Sequence, residues 1–387
     1  MDIESQISDI LARYWLVENR YCGLAESQVL KRLNQLISSP LTIDELHSRL
    51  LTMQTRGEVV IGRPETDPIV FPRRALLEPR DPVKESDLGI YTKQLRLGGP
   101  QIAHRYFERQ VLDRYLQDPR YEFKEFAVSG RISTPDSVLN VLPKDRVYIR
   151  FGQACHPNGT PAVAVILFDL SELPREHQGY WASYEIHEEC QPDPDYMRQN
   201  FDAELIQRVS PRNALLSELK EINRICNLLG EPGLFRETCE SYKLSRLGLI
   251  TKPTADEFRS FANELDKLLS QNINKKFFGN KVDLVDSKGA DKGTLRLLDE
   301  YLKSYGLTSE DVSGICKPLK DVRDCRQIPA HKITEDEFDT GYWTQQNELI
   351  IDVLNAVGLL RKVFEKHPSL KDKEYMPPKW LDEWCIK

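Results

Sequence analysis

The 387-residue chain carries 53 Lys and Arg against 60 Asp and Glu, a formal net charge of −7, with 40% apolar and 29% charged residues. This composition excludes an intrinsically disordered chain and a generally basic nucleic-acid coat, and no apolar run reaches the roughly 20 residues of a membrane span. At about 150 residues per domain the length predicts two or three domains, and Met1-Asp2-Ile3-Glu4, neither basic nor apolar, predicts a cytoplasmic protein without a signal peptide.

Residues 1–78 read as three helices and a hairpin. Ile7, Ile10, Leu11 and Tyr14 mark one helical face, and Val29, Leu30, Leu33 and Leu36 mark a second. Thr42-Ile43-Asp44-Glu45 is a capping box whose Thr and Glu side chains satisfy the opening amides of a third helix with core residues Leu46, Leu50 and Met53. Gly57 closes that helix, and Val59-Val60-Ile61 and Ile69-Val70-Phe71 read as two short strands. Three helices followed by a two-stranded wing resemble a winged-helix domain, which implies contact with DNA or with a protein. The segment holds nine Lys/Arg against eleven Asp/Glu, which favours the protein contact, because phosphate contacts supply most nucleic-acid affinity.

Residues 79–90, with Pro79 and Pro82, read as a linker. A central α+β domain is expected over 91–190. Residues 102–115 carry Ile102, Tyr106, Val111, Leu112 and Tyr115 at helical spacing, and strands are expected at Tyr148-Ile149, over 162–168 and over 181–186. Residues 91–150 hold eleven Lys/Arg against seven Asp/Glu, whereas residues 151–210 hold three against ten. In the basic half Arg105, Arg109, Arg114 and Arg120 alternate with Tyr91, Tyr106, Phe107, Tyr115, Tyr121 and Phe123. Such cations and rings could line a groove for single-stranded RNA, although core rings beside a solvated arginine face produce the same pattern.

From about Asn213 the chain reads helical, and a bundle is expected over 211–370, with a tail at 371–387. Its faces include Leu215, Leu219, Ile222 and Cys226; then Phe258, Phe261 and Leu265; and finally the long run Ile350, Val353, Leu354, Val357 and Leu360. The expected class is therefore a multidomain α+β protein with a winged-helix-like start, a central α+β domain and an all-α C-terminal bundle.

No phosphate loop of GxxxxGK[ST] or GxGxxG type occurs, and Cys155-His156 with His187-Glu188-Glu189-Cys190 lacks zinc-site spacing, so no cofactor or metal is expected. The eight cysteines include no CxxC pair. The chemistry concentrates in Arg323-Asp324-Cys325-Arg326-Gln327-Ile328-Pro329-Ala330-His331. Val312, Ile315, Cys316, Leu319 and Val322 lead into it at helical spacing, and Pro329 predicts a break at Ile328 that turns His331 towards Arg326. RNA cleavage without metal needs a base for the 2′-hydroxyl, an acid for the leaving 5′-oxygen and a cation for the phosphorane. His331 and Arg326 supply the proton carrier and the cation.

This arrangement resembles the HEPN superfamily of ribonucleases, whose motif is Arg, four to six residues, then His. Gln327 stands where the family more often has Asn, Asp or His. The resemblance implies a helical bundle, a symmetric homodimer, metal-independent cleavage of RNA by Arg326 and His331 with Arg323 and Gln327 in support, and a role as a toxin or antiviral-defence effector. Arg150 to His156 and Arg361 to His367 share the spacing, but only Arg326 to His331 has helical flanks and the Ala-His ending. The alternative is a non-catalytic winged-helix regulator whose helical domain dimerises.

Overall fold

The computed structural model describes residues 2–62, 66–84, 87–138, 140–206, 208–238, 247–248, 250–326, 335–371 and 373–383. It is a mixed α+β protein with a helical C-terminal region. The chain divides into two compact units. One comprises 1–108, 133–157 and 162–191, and the other 109–132, 158–161 and 192–387. These units are assembled from separate pieces of chain, unlike the consecutive division at 1–78, 91–190 and 211–370 expected from element order.

The first unit opens with α1 (Ile3–Ala12), β1 (Leu24–Ala25), α2 (Glu26–Asn34), α3 (Ile43–Thr55), β2 (Val59–Gly62) and β3 (Ile69–Pro72). Thr42 Oγ1 accepts the Glu45 amide while the Glu45 carboxylate accepts the Thr42 amide, so the expected capping box starts α3. The hairpin pairs Val59 with Pro72 and Gly62 with Ile69, and β1 adds to the free edge of β3. Ile7, Leu11, Val29, Leu33, Leu46, Leu50 and Val70 close one core beneath them.

Beyond α4 (Arg74–Leu77) and α5 (Ile90–Arg96) comes β4 (His104–Glu108), where a helix was expected. Cross-strand pairing accounts for the difference. Arg105 lies opposite Val165 and Phe107 opposite Val163, so a fully buried neighbour takes the ladder, and Ile102 is left exposed. Helical spacing is obeyed only after the strand, through Val111 and Leu112 into α6 (Asp113–Gln117). That helix and the hairpin of β5 (Glu122–Glu125) and β6 (Ser129–Ser133) belong, but for Ser133, to the second unit.

Back in the first unit, β7 (Tyr148–Cys155) and β8 (Pro161–Ile166) complete a sheet in the order β7-β8-β4 and then β9 (Glu185–Ile186). Ala162, Val163, Ala164 and Val165 are all buried, as an all-apolar central strand requires. The strand ends at Ile166, and α7 (Leu167–Ser171) follows at once. Of the strand expected over 181–186, the first two residues end α8 (Arg175–Ala182), whose Trp181 is buried against Phe107, and a turn follows. Only Glu185–Ile186 pairs, and burial of a large ring suits a helix face as well as a strand.

The second unit continues with α9 (Pro194–Phe201), α10 (Pro211–Leu228), α11 (Ala255–Leu268), α12 (Lys275–Phe278), α13 (Thr294–Ser304), α14 (Ser309–Arg326) and α15 (Gly341–Glu365). Leu215, Leu219, Phe261, Leu265, Leu319 and Val357 belong to one apolar core shared by α10, α11, α14 and α15. Pro318 sits inside α14, which continues through it to Arg326. No helix among the described residues is long and apolar enough to cross a membrane.

Candidate active site

Helix α14 buries Val312, Ile315, Cys316, Leu319 and Val322, a stripe at spacings of three and four. Arg326 is the next residue on that stripe, so its guanidinium is directed into the bundle instead of away from it. There it meets Asp266, four residues after Ala262 on the buried face of α11. Arg326 Nη1 donates to Asp266 Oδ2 at 2.7 Å, with Asp266 only 1% and the Arg326 side chain 31% exposed. The same carboxylate accepts from Gln271 Nε2 at 3.0 Å and from the Ser270 hydroxyl. A buried carboxylate with three side-chain donors is a rigid anchor, and it fixes one nitrogen of the guanidinium fork.

The supporting Arg323 is half-buried one turn earlier on α14. Cys325, between the two arginines, has its thiol pushed up by burial and by the charges of Asp321 and Asp324. It therefore stays a neutral thiol and has no claim as a nucleophile. Gln327 and His331, together with the break expected at Ile328-Pro329, lie outside the described residues. The chain on the far side is fastened to α11 as well. The Ala255 amide donates to the Glu337 carbonyl and the Asp256 amide to Asp336 Oδ1, each at 2.9 Å, at the opening of the helix whose last turn holds Asp266.

No family model, curated protein or solved structure matches the chain.

The other two Arg-to-His spacings fare differently. Arg150 lies within β7 and His156 directly follows the strand, and six residues of extended chain span about 20 Å, so neither side chain can serve the other. Arg150 instead pairs with Asp169 at 3.1 Å. Arg361 is 1% exposed, bonded to Glu218 at 2.5 Å and to Glu365, and is spent inside the core.

The expected RNA groove is not assembled from its rings. Tyr91, Phe107, Tyr115, Tyr121 and Phe123 are buried core residues, with Tyr106 half-buried. The arginines between them also have partners in the fold. Arg105, in the first unit, meets Gln94 at 3.0 Å and Glu185 at 3.5 Å. In the second unit Arg120 pairs with Asp118 at 2.7 Å, and Arg114 is half-buried in α6. Burial pushes Arg109 down to about 10 against the opposing charge of Glu125, whose carboxylate also holds Arg212 at 3.2 Å. Helical reading of 102–115 hid this, since it placed rings and arginines on opposite faces of one helix. Among the described residues no group of three or more His, Cys, Asp and Glu gathers as metal ligands.

Asp266 escaped the sequence reading, although a signal exists. A carboxylate on the apolar stripe of one helix and an arginine on the stripe of another must either find each other or remain unpaired in a core.

Proposed function

We propose that the chain is a metal-independent endoribonuclease of HEPN type, a regulated toxin or antiviral-defence effector acting as a homodimer. The observation that carries this reading is the placement of Arg326 at the last turn of α14, locked by a buried carboxylate but still part-exposed. A preorganised guanidinium stabilises the charge developing on a phosphorane at no cost in reorganisation. His331 of one subunit takes the 2′-hydroxyl proton as the O2′–P bond forms. The equivalent histidine of the second subunit protonates the 5′-oxygen as the P–O5′ bond breaks, leaving a 2′,3′-cyclic phosphate and a 5′-hydroxyl. Residues 1–78, three helices with a hairpin, support a winged-helix module that docks a protein or DNA and restrains or targets the nuclease.

The second reading, a non-catalytic winged-helix regulator, draws support from the same ion pair, because anchoring Asp266 is itself a structural task. Incubating the purified chain with RNA in EDTA separates the two. The enzyme cuts and leaves cyclic-phosphate ends, and His331→Ala abolishes cutting with an unchanged melting curve. Cleavage that survives His331→Ala refutes the assignment.

A further inference from the structure

The first unit contains two adjoining hollows that the ribonuclease reading does not use. The larger, about 1000 Å³, has Arg73, Arg74, Lys93 and Arg105 on its walls and, among the described residues, one carboxylate, Glu78, which pairs with Arg74 at 2.7 Å. Its field stays positive even when Glu185, which reaches Arg105 at 3.5 Å, is added. The smaller, about 330 Å³, is walled by Trp15, Tyr21, Val60, Phe71 and Ile102 and is almost wholly apolar. Both hollows include Arg73, Gly98 and Gly99, so they meet along one ridge.

That ridge is tightly built. Arg73 Nη1 donates to the Gly98 carbonyl at 2.8 Å, and Gly98 has φ of +84°. A Cβ there would stand 2.7 Å from the Pro72 carbonyl oxygen, and one on Gly99 equally close to that of Gln94. Only glycine lets the 98–99 segment lie so close to the backbone of Pro72 and Arg73. The two hollows therefore share a fixed border in place of a loose loop, and each by itself lies within the volume range of small-molecule sites.

We infer that the first unit binds a nucleotide, with its phosphates in the basic basin and its base in the aromatic slot. Four cations against Glu78 and Glu185 leave the basin net positive, and an anion with more than one charge and several acceptor oxygens, as phosphate groups offer, suits it better than a single carboxylate. The half-buried rings of Tyr21 and Phe71 offer apolar surface to a flat heterocycle, and the size of the slot admits one base and excludes a duplex. The source is either a free nucleotide or the end of an RNA strand, which share this chemistry.

Calorimetric titration of the full chain with ATP tests the site, with inorganic tripolyphosphate, adenosine and a four-nucleotide RNA alongside. ATP is expected to bind more tightly than tripolyphosphate or adenosine alone, and the tighter of ATP and the RNA identifies the source. Lys93→Glu or Arg74→Glu should weaken both ATP and tripolyphosphate about tenfold or more. Cys22→Phe, which fills the slot from its exposed rim, should weaken ATP and leave tripolyphosphate unchanged. Arg74 is 63% exposed, so its variant remains informative should Lys93→Glu fail to fold. No binding at millimolar ATP, or binding indifferent to both charge reversals, overturns the proposal, and equal affinity for ATP and tripolyphosphate overturns the base slot. The readout is binding and no residue of α14 takes part, so this result and the outcome of the cleavage assay are independent.

Discussion

Replacing Arg326 by Ala takes one of three side-chain donors from a carboxylate that is 1% exposed, leaving Asp266 with Ser270 and Gln271. Loss of a charge-assisted hydrogen bond costs about 1.5–3 kcal/mol, and breaking a fully buried ion pair about 3–5 kcal/mol. The 31% exposure of Arg326 allows water to replace part of the guanidinium, which places the loss near 2 kcal/mol. For a unit of roughly 200 residues that lowers Tm by about 4–8 °C. Asp266→Asn keeps the shape and removes the charge, and combining it with Arg326→Ala should show a coupling of about 1–2 kcal/mol in a double-mutant cycle followed by thermal circular dichroism. A Tm shift below about 1 °C for Arg326→Ala, or strict additivity, refutes the anchoring argument. Cleavage measured well below the melting range then separates anchoring from catalysis. Loss of a phosphorane-stabilising donor costs about 100- to 1000-fold in kcat, whereas a displaced guanidinium in Asp266→Asn should cost less. If activity falls only with the folded fraction in both variants, Arg326 has no chemical role.

Two further predictions concern carboxylates whose partners are equally defined. Burial pushes the Asp81 carboxyl up, but the two Arg96 hydrogen bonds, the Val83 amide and the Arg96 charge outweigh it and hold its pKa below the usual carboxylate value. A depressed folded value gives stabilisation that is complete above about pH 4 and lost as pH falls through that folded value, so Asp81→Asn should melt lower than wild type at pH 7 and coincide with it in strong acid. A constant gap across that range contradicts the linkage. Arg361→Met leaves Glu218 buried without its cation and should cost about 3–5 kcal/mol by chemical denaturation, and adding Glu218→Gln should recover part of it. No recovery in the double variant means that the loss comes from packing around α15, not from an uncompensated charge.

Local signals carried much of the fold. The capping box of Thr42 and Glu45 starts α3, and the stripes on α10, α11, α14 and α15 bury the side chains that their spacing selects. Failures occurred where tertiary pairing overrides local spacing. Tyr106, Val111 and Tyr115 fit a helix by period, yet Tyr106 is in a strand because β8 offers an apolar ladder partner at Ala164. Trp181 fitted a strand by residue type, yet it packs from α8. The basic stretch over 91–150 was legible as charge but only partly as pairing, since Asp118 is a local partner for Arg120 whereas Glu125 beside Arg109 and Glu185 beside Arg105 depend on the fold.

The three Arg-to-His spacings show how far such a motif can be read without a structure. All three arginines form ion pairs, with Asp169, Asp266 and Glu218, so pairing alone does not separate a catalytic arginine from a structural one. Exposure sets Arg361 apart from the other two. Arg361 is 1% exposed and cannot meet a phosphate without unfolding its helix. Arg150 is 56% exposed, but its position on a strand puts His156 about 20 Å away. Arg326 combines a buried anchor on one side with 31% exposure on the other. An arginine that must hold a phosphate in one orientation needs both a fixed root and an accessible tip; Arg361 lacks the tip, whereas Arg150 on the buried Asp169 and Arg326 on the buried Asp266 each have both, so the cleavage assay on the Arg326 variants is what decides a chemical role.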